Sequence, residues 1–333
     1  MKHKRIKQIK KIIKPIAGLL CLTLALSLCS CANSDAEKKH IAVIVKATDS
    51  DFWQNVKRGV DSAATEYNVS VTFDGPSSED DYAAQNDIIE SAANGGADAI
   101  VLSAIDYENS AKEVDEAARA GIPTIIIDSN VDSSRTKMFI GTDNAEAGRT
   151  AGRAATEGFP DGSQINIGLI NYYKSTDNGR LREEGFREYI DGIENANIIS
   201  SVNVASNTES AAAAAVSLLN ENPQINVLVG FNEWMTLGIG EAIKQLNASD
   251  RVRGIGFDTN IASIEKLETG EIDTLIVQNP FAIGYLGVRY AAELISGGNI
   301  KENIIYTDVT AVTKDNLFDK DIQKLMFRFN QDR

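Results

Sequence analysis

From Ile41 onward, short β-branched apolar runs alternate with longer segments whose apolar positions recur every three or four residues. That alternation predicts repeated strand–helix–strand units, hence parallel sheets covered by helices. The first series predicts strands at 41–45, 69–73, 99–102, 124–127 and 138–140, with helices near 54–67, 83–94 and 109–120. In the first of these helices Val56, Val60, Ala63, Ala64 and Tyr67 share one face, with Lys57, Arg58 and Asp61 outside it. Such a face calls for a sheet to cover it. After Gly141-Thr142-Asp143-Asn144 a second series predicts strands at 165–170, 198–202, 227–229, 252–256 and 275–277. Helices near 145–157, 179–190, 210–219, 235–246 and 261–268 lie between them. Two such sets make two α/β lobes. Periodicity alone leaves open which lobe receives a last helix near 284–296 and a last strand near 303–312. The charged segment 315–333 carries Phe318, Ile322, Leu325, Met326 and Phe329 on one helical face and is expected to pack on the body.

With 333 residues, 43% of them apolar, the chain can fill the cores of two lobes. Residues 1–14 contain Lys2, Lys4, Arg5, Lys7, Lys10, Lys11 and Lys14 and nothing acidic. A 13-residue apolar stretch, 16–28, follows. It is shorter than the roughly 20 residues that span a bilayer, so residues 1–30 read as a secretory signal peptide. Leu28-Cys29-Ser30-Cys31 resembles a bacterial lipobox. The resemblance implies lipidation at Cys31, a polar tether over 31–39 and anchoring at the outer face of the cell membrane. Cys21 and Cys29 leave with the signal, so no disulfide is expected. Without the leader, Lys+Arg falls from 33 to 26 against 47 Asp+Glu, and the net charge moves from −14 to −21. A body this acidic repels phosphate backbones, which argues against a nucleic-acid partner.

The usual catalytic kits are missing from the sequence. The histidines are His3, in the leader, and His40, opening the first strand. Nucleophile–histidine arrangements and zinc ligation therefore have too few residues to draw on. Neither G-x-G-x-x-G after a strand nor G-x-x-x-x-G-K-[ST] occurs, so no dinucleotide or triphosphate cradle is expected and no cofactor is called for. Asp49, Asp51 and the run Glu79-Asp80-Asp81 lack the spacing of a calcium loop and read as solvated acidic segments.

Open α/β sheets hold ligands in the crevice beyond the carboxyl ends of their strands. The residues just past the predicted strands are polar and aromatic: Lys46, Asp49, Phe52 and Trp53; Asp128, Ser129 and Asn130; Asn171, Tyr172 and Tyr173. Further on come Phe231, Asn232, Glu233 and Trp234; Asp258 and Asn260; Gln278 and Asn279. Carboxylates accept from vicinal hydroxyls, amides donate and accept, and aromatic faces cover the C–H faces of a sugar ring. For Ser129 and Asn260 alone, helix capping is the favoured explanation. It does not explain Phe52, Trp53 and Trp234.

These residues fall within motifs that resemble a known family. I-A-V-I-V-K-A-T-D-S-D-F-W-Q-N-V-K-R-G, A-G-I-P-T-I-I-I-D-S-N, G-T-D-N-A-E-A-G, R-E-E-G-F, G-F-N-E-W-M-T-L-G, G-I-G-F-D and V-Q-N-P occur in this order. Together they resemble the ribose-type solute-binding proteins of bacterial ABC transporters over about residues 40–314. The resemblance implies the type I periplasmic-binding-protein architecture: two Rossmann-like α/β lobes with parallel sheets, joined by a three-strand hinge near Asp143, Gln278 and Asp308. It assigns 40–142 with 279–308 to the N-terminal lobe and 143–278 with 309–314 to the C-terminal lobe, leaving 315–333 as a tail. Carried over by position, it implies ligand contacts from Lys46, Phe52, Trp53, Asp128, Arg182, Asn232, Asp258 and Gln278. Ser50, Asp177 and Trp234 are secondary candidates. From spacing alone, Arg182 reads as a helix-surface residue.

Where ribose binders carry a small hydroxyl residue, an amide and an arginine, this chain has Lys46, Ser50 and Ser129. Ser206 or its neighbours stand where an aromatic ring closes their pocket. Another pentose, a hexose or a deoxy sugar is therefore favoured over ribose. Lys46, Asp74-Gly75-Pro76 and Thr176-Asp177-Asn178 are also similar to autoinducer-2 receptors. The expected function is capture, not catalysis: a monomer takes up a monosaccharide and delivers it to a membrane permease. The alternative is a sensor signalling through a membrane histidine kinase.

Overall fold

The computed structural model describes residues 38–326. The residues expected to form the export segment and the tether up to Glu37, Cys31 among them, and Phe329 lie outside the described residues. The first lobe holds strands β1 (His40–Ile44), β2 (Ser70–Asp74), β3 (Ala99–Leu102), β4 (Thr124–Ile127) and β5 (Phe139–Thr142). Between them run helices α1 (Asp51–Glu66), α2 (Tyr82–Asn94) and α3 (Ala111–Arg119). The second lobe contains α4 (Asn144–Thr156), β6 (Ile165–Asn171), α5 (Asp177–Asp191), β7 (Ala196–Asn203) and α6 (Thr208–Glu221). It continues with β8 (Val227–Gly230), α7 (Glu233–Gln245), β9 (Arg253–Phe257), α8 (Ile261–Thr269) and β10 (Thr274–Val277). The chain then returns through α9 (Pro280–Ile295), β11 (Ile304–Thr307), β12 (Thr310–Val312) and α10 (Lys320–Met326).

Two six-stranded sheets result, ordered β11-β5-β4-β3-β1-β2 and β12-β10-β9-β8-β6-β7. Every pairing is parallel except β10 with β12. Strand alternation sorts the first core into two layers. Ile41, Val43 and Val45 join Val56 and Val60 of α1 and Ile283 and Val288 of α9. Ala42 and Ile44, on the opposite face, join Ile89 of α2 and Val114 of α3. A sheet buried on both faces needs the nearly unbroken apolar runs seen in the sequence.

The run at 303–312, expected to be one strand, is two. Its first half pairs parallel with β5 in the first sheet, and its second half pairs antiparallel with β10 in the second. Among the described residues the chain thus passes between the sheets three times, after β5, after β10 and between β11 and β12.

Helix α1 starts three residues before its expected place. Ser50 is its N-cap, and Phe52 and Trp53 in its first turn extend the buried stripe of Val56 and Val60 as far as the gap between the lobes. Helix α9 also starts early: Asn279 accepts from Ala282 N at 3.2 Å and Pro280 occupies the first helical position, where its missing N–H costs nothing. Asn260 caps α8 with a reciprocal capping box. Ser129 caps no helix, because the chain runs from β4 to β5 without one. In the second lobe α4 and α5 touch backbone to backbone. A Cβ on Gly185 would lie 2.0 Å from the Ala145 carbonyl, and one on Gly148 2.0 Å from that of Arg182. Of the C-terminal apolar face, Ile322, Leu325 and Met326 pack on the second core. Phe318 does not join them; it is 74% exposed.

Candidate functional site

The carboxyl ends of both sheets meet at a gap between the lobes of about 300 Å³, counting the space open to solvent. From the first lobe it is lined by Lys46 and Ser50 after β1, Phe52 and Trp53 in the first turn of α1, Glu79 after β2 and Asp128 after β4. From the second come Tyr172 after β6, Asn178 and Arg182 on α5, Asn232 after β8, Glu233 and Trp234 opening α7, and Asp258 after β9. Gln278 closes it from the second crossing. Asp128 and Asp258 each occupy the first position past a strand with φ of +56° and +67°. Asp tolerates this left-handed backbone better than most residues. Residues held there against their ordinary preference concentrate at functional sites.

Two hydrogen-bond networks organise the walls. In the first, Ser103 Oγ donates to Asp128 Oδ2 at 2.9 Å, Lys46 Nζ lies 3.4 Å from the same oxygen, and Asn178 Nδ2 donates across the gap to both carboxylate oxygens at 3.1 Å. Asn178 Oδ1 accepts from Lys46 Nζ at 3.3 Å and from the Tyr172 hydroxyl at 2.7 Å. In the second, the Arg182 guanidinium donates to Asn144 Oδ1 at 2.9 Å, to the Phe231 carbonyl at 2.7 Å and to Gln278 Oε1 at 2.8 Å. Thr142 Oγ1 also donates to Gln278 Oε1 at 2.8 Å, and Gln278 Nε2 donates to Asp258 Oδ1 at 2.6 Å. Thr142 and Asn144 flank the first crossing and Gln278 follows β10, so the site is wired directly to the two crossings.

Burial sets the proton affinities. It raises the carboxyls of Glu79 and Asp258, although Lys46 opposes the first and Arg182 the second. It pushes Glu233 up to about 7, despite a hydrogen bond from Asn260. Glu233 also reaches across the gap, where its Oε2 accepts from Phe52 N at 3.2 Å. Outside the cavity the lobes touch again. The Tyr173 hydroxyl donates to Asp106 Oδ2 at 2.9 Å, Thr176 Oγ1 to the Ile105 carbonyl at 2.8 Å and Ser206 N to Asp80 Oδ2 at 3.1 Å. The arrangement is a closed one.

The structure brings Lys46, Phe52, Trp53, Asp128, Arg182, Asn232, Asp258 and Gln278 together in this cavity, along with Ser50 and Trp234. Asp177 is not there. It pairs with Arg180 at 2.6 Å and lines an outer groove, and its neighbour Asn178, one helical step round, faces the cavity instead. Arg182 is 1% exposed, not a helix-surface residue. Ser50 and Asn232 cap α1 and α7, so part of their hydrogen-bonding capacity is already used. Sequence reasoning missed Glu79: the acidic run is not solvated there, since Glu79 is 8% exposed and accepts from Trp53 Nε1 at 2.7 Å. Asn178 was recognisable only as the third residue of Thr176-Asp177-Asn178, whereas Glu233 stood in the polar set past the predicted strand at 227–229 without being carried over as a ligand contact.

Residues 41–299 match the family model described as a periplasmic binding protein domain. The D-ribose/D-allose-binding protein of Pseudomonas aeruginosa is 25% identical over 288 residues, 83% of this chain and 89% of that one. A solved carbohydrate-transporter solute-binding protein from Agrobacterium radiobacter, in complex with D-arabinose, superposes with a TM-score of 0.83. It is 31% identical, covering 88% of this chain and 100% of that one. An ABC-transporter solute-binding protein from Agrobacterium vitis with bound D-fucose has the same TM-score and identity, over 86% of this chain and 100% of that one.

Proposed function

Since this chain belongs to the periplasmic binding protein family, as a type I sugar-binding member of the kind that serves ABC transporters, we propose that it captures one monosaccharide in the cavity between its lobes and delivers it to a membrane permease. The observation that carries this reading is the enclosure of one cavity by carboxylates, amides, an arginine and two tryptophans from both lobes. Trp53 and Trp234 cover the ring faces, Asp128 and Asp258 accept from hydroxyls, and Arg182 and the amides donate. Ribose, allose, arabinose and fucose, the sugars named for relatives and neighbours, support a pentose, hexose or deoxy sugar as the ligand. Lipidation at Cys31 would hold the receptor at the membrane.

A micromolar ligand needs about −8 kcal/mol. Hydrogen bonds to charged groups contribute roughly 1.5–3 kcal/mol each, so Asp128, Asp258 and Arg182 with two ring contacts reach that figure after ordering costs. Because the contacts are complete only when the lobes meet, the ligand's preference for the closed form drives closure.

Calorimetry against a monosaccharide panel tests the reading. Asp128→Ala and Asp258→Ala are expected to weaken the best ligand at least a hundredfold with circular dichroism unchanged. Wild-type affinity in both would remove the site. Candidate glycosides are expected to be recovered intact, and sugar release would point to an enzyme.

A further inference from the structure

Four carboxylates line the cavity, Glu79, Asp128, Glu233 and Asp258, against two cations, Lys46 and Arg182. Among the described residues, Lys46 with Asp128 is the single ion pair within 4 Å that involves a lining side chain. The three hydrogen bonds of Arg182 all go to neutral acceptors. One oxygen of Glu79 accepts from the Trp53 indole and one of Asp258 from the Gln278 amide. The other oxygen of each has no protein donor among the described residues and is left to the cavity. A hydroxyl would satisfy such an oxygen as a hydrogen-bond acceptor. An ammonium would satisfy it and also compensate a buried charge, which is worth more in a desolvated site.

We propose that the ligand is an amino-substituted monosaccharide whose basic nitrogen is held by the free carboxylate oxygen of Glu79. The proposal rests on reading the cavity as a monosaccharide site. Glu79 sits on the first lobe, with Lys46, Asp128 and Asp258 the charged groups that act on it. The elevated proton affinities of Glu79 and Asp258 fit this assignment, because each ionises only against its burial and a cationic ligand would relieve that cost. The second lobe contributes Asp258 and Glu233 to the same acidic field, so the nitrogen would also draw the lobes together.

Titration calorimetry at pH 7 with D-glucosamine, D-galactosamine and D-mannosamine, each beside its neutral parent hexose and its N-acetyl derivative, tests the proposal. At least one amino sugar is expected to bind tenfold or more tighter than both neutral counterparts. Glu79→Gln should abolish that preference while keeping a thermal midpoint close to wild type. Parent or N-acetyl sugars that bind wild type as tightly as the amino form in all three series would overturn the proposal, as would a Glu79→Gln variant that keeps the preference. The wild-type comparison stands whether or not the variant folds. Tight binding confined to neutral sugars would leave the sugar reading intact and end this inference alone. Failure of every sugar, panel included, would remove both.

Discussion

Arg182 carries a charge that no carboxylate among the described residues touches within 4 Å. Its three donors instead fix the Asn144 and Gln278 side chains and the Phe231 carbonyl, and the Phe257 ring lies 4.8 Å from the guanidinium carbon. Removing it leaves buried acceptors unpaired, so Arg182→Ala is expected to cost about 3–5 kcal/mol in urea unfolding. Arg182→Lys should not restore the loss, since an ammonium cannot span the fork. Glu233 makes a prediction about pH. Its folded value, about 7, lies above the ordinary carboxylate range, so between about pH 4.5 and 7 the folded protein holds a proton the unfolded chain has lost. Its contribution is therefore favourable at low pH and is lost as pH rises through 7. Glu233→Gln should remove on the order of 3 kcal/mol of that decline, read as the difference between wild-type and variant unfolding at pH 5 and pH 8. Single residues also mark where sequence reading stops. Asp177 and Asn178 are neighbours of similar chemistry, and only the helix phase decides which one reaches the cavity. Glu79 looked solvated because its partner, Trp53, lies 26 residues away.

Helices α4 and α5 cross where both present glycine, and this crossing places Arg182 one turn before Gly185. Gly185→Ala sets a Cβ against the Ala145 backbone and must push the helices apart. A loss of roughly 2–3 kcal/mol, seen as a lower thermal midpoint, together with weaker sugar binding, is expected. Strands β3 and β4 were legible to the residue, because buried parallel strands are unbroken apolar runs bounded by turns. The first turns of α1 and α9 were not, since the start of α1 is set by the Ser50 cap although Phe52 and Trp53 already continue its buried stripe, and Pro280 at the first position of α9 reads as a helix breaker. The division of 303–312 between two sheets has no local signature either. Both halves are short and half-exposed, and only pairing with β5 and β10 separates them.

Contacts beyond the cavity hold the lobes together as well. Tyr173, whose hydroxyl is pushed up to about 12 by burial and by its bond to Asp106, touches the opposite lobe without lining the cavity. Tyr173→Phe removes one interlobe hydrogen bond, about 1 kcal/mol of closed-state stability. It should weaken sugar binding about fivefold by calorimetry while leaving ligand selectivity unchanged. An unaltered affinity would show that this contact does not bear on closure. The architecture of paired lobes was legible because each lobe repeats the same strand–helix alternation, whereas the closed contacts depend on residues 67 to 126 positions apart.

The most direct test is a crystal structure with the tightest sugar from the panel. The ring is expected between Trp53 and Trp234, with its polar groups within hydrogen-bonding distance of Asp128, Arg182 and Asp258. A sugar bound outside the space between the lobes, with those side chains paired as they are here, would contradict the account.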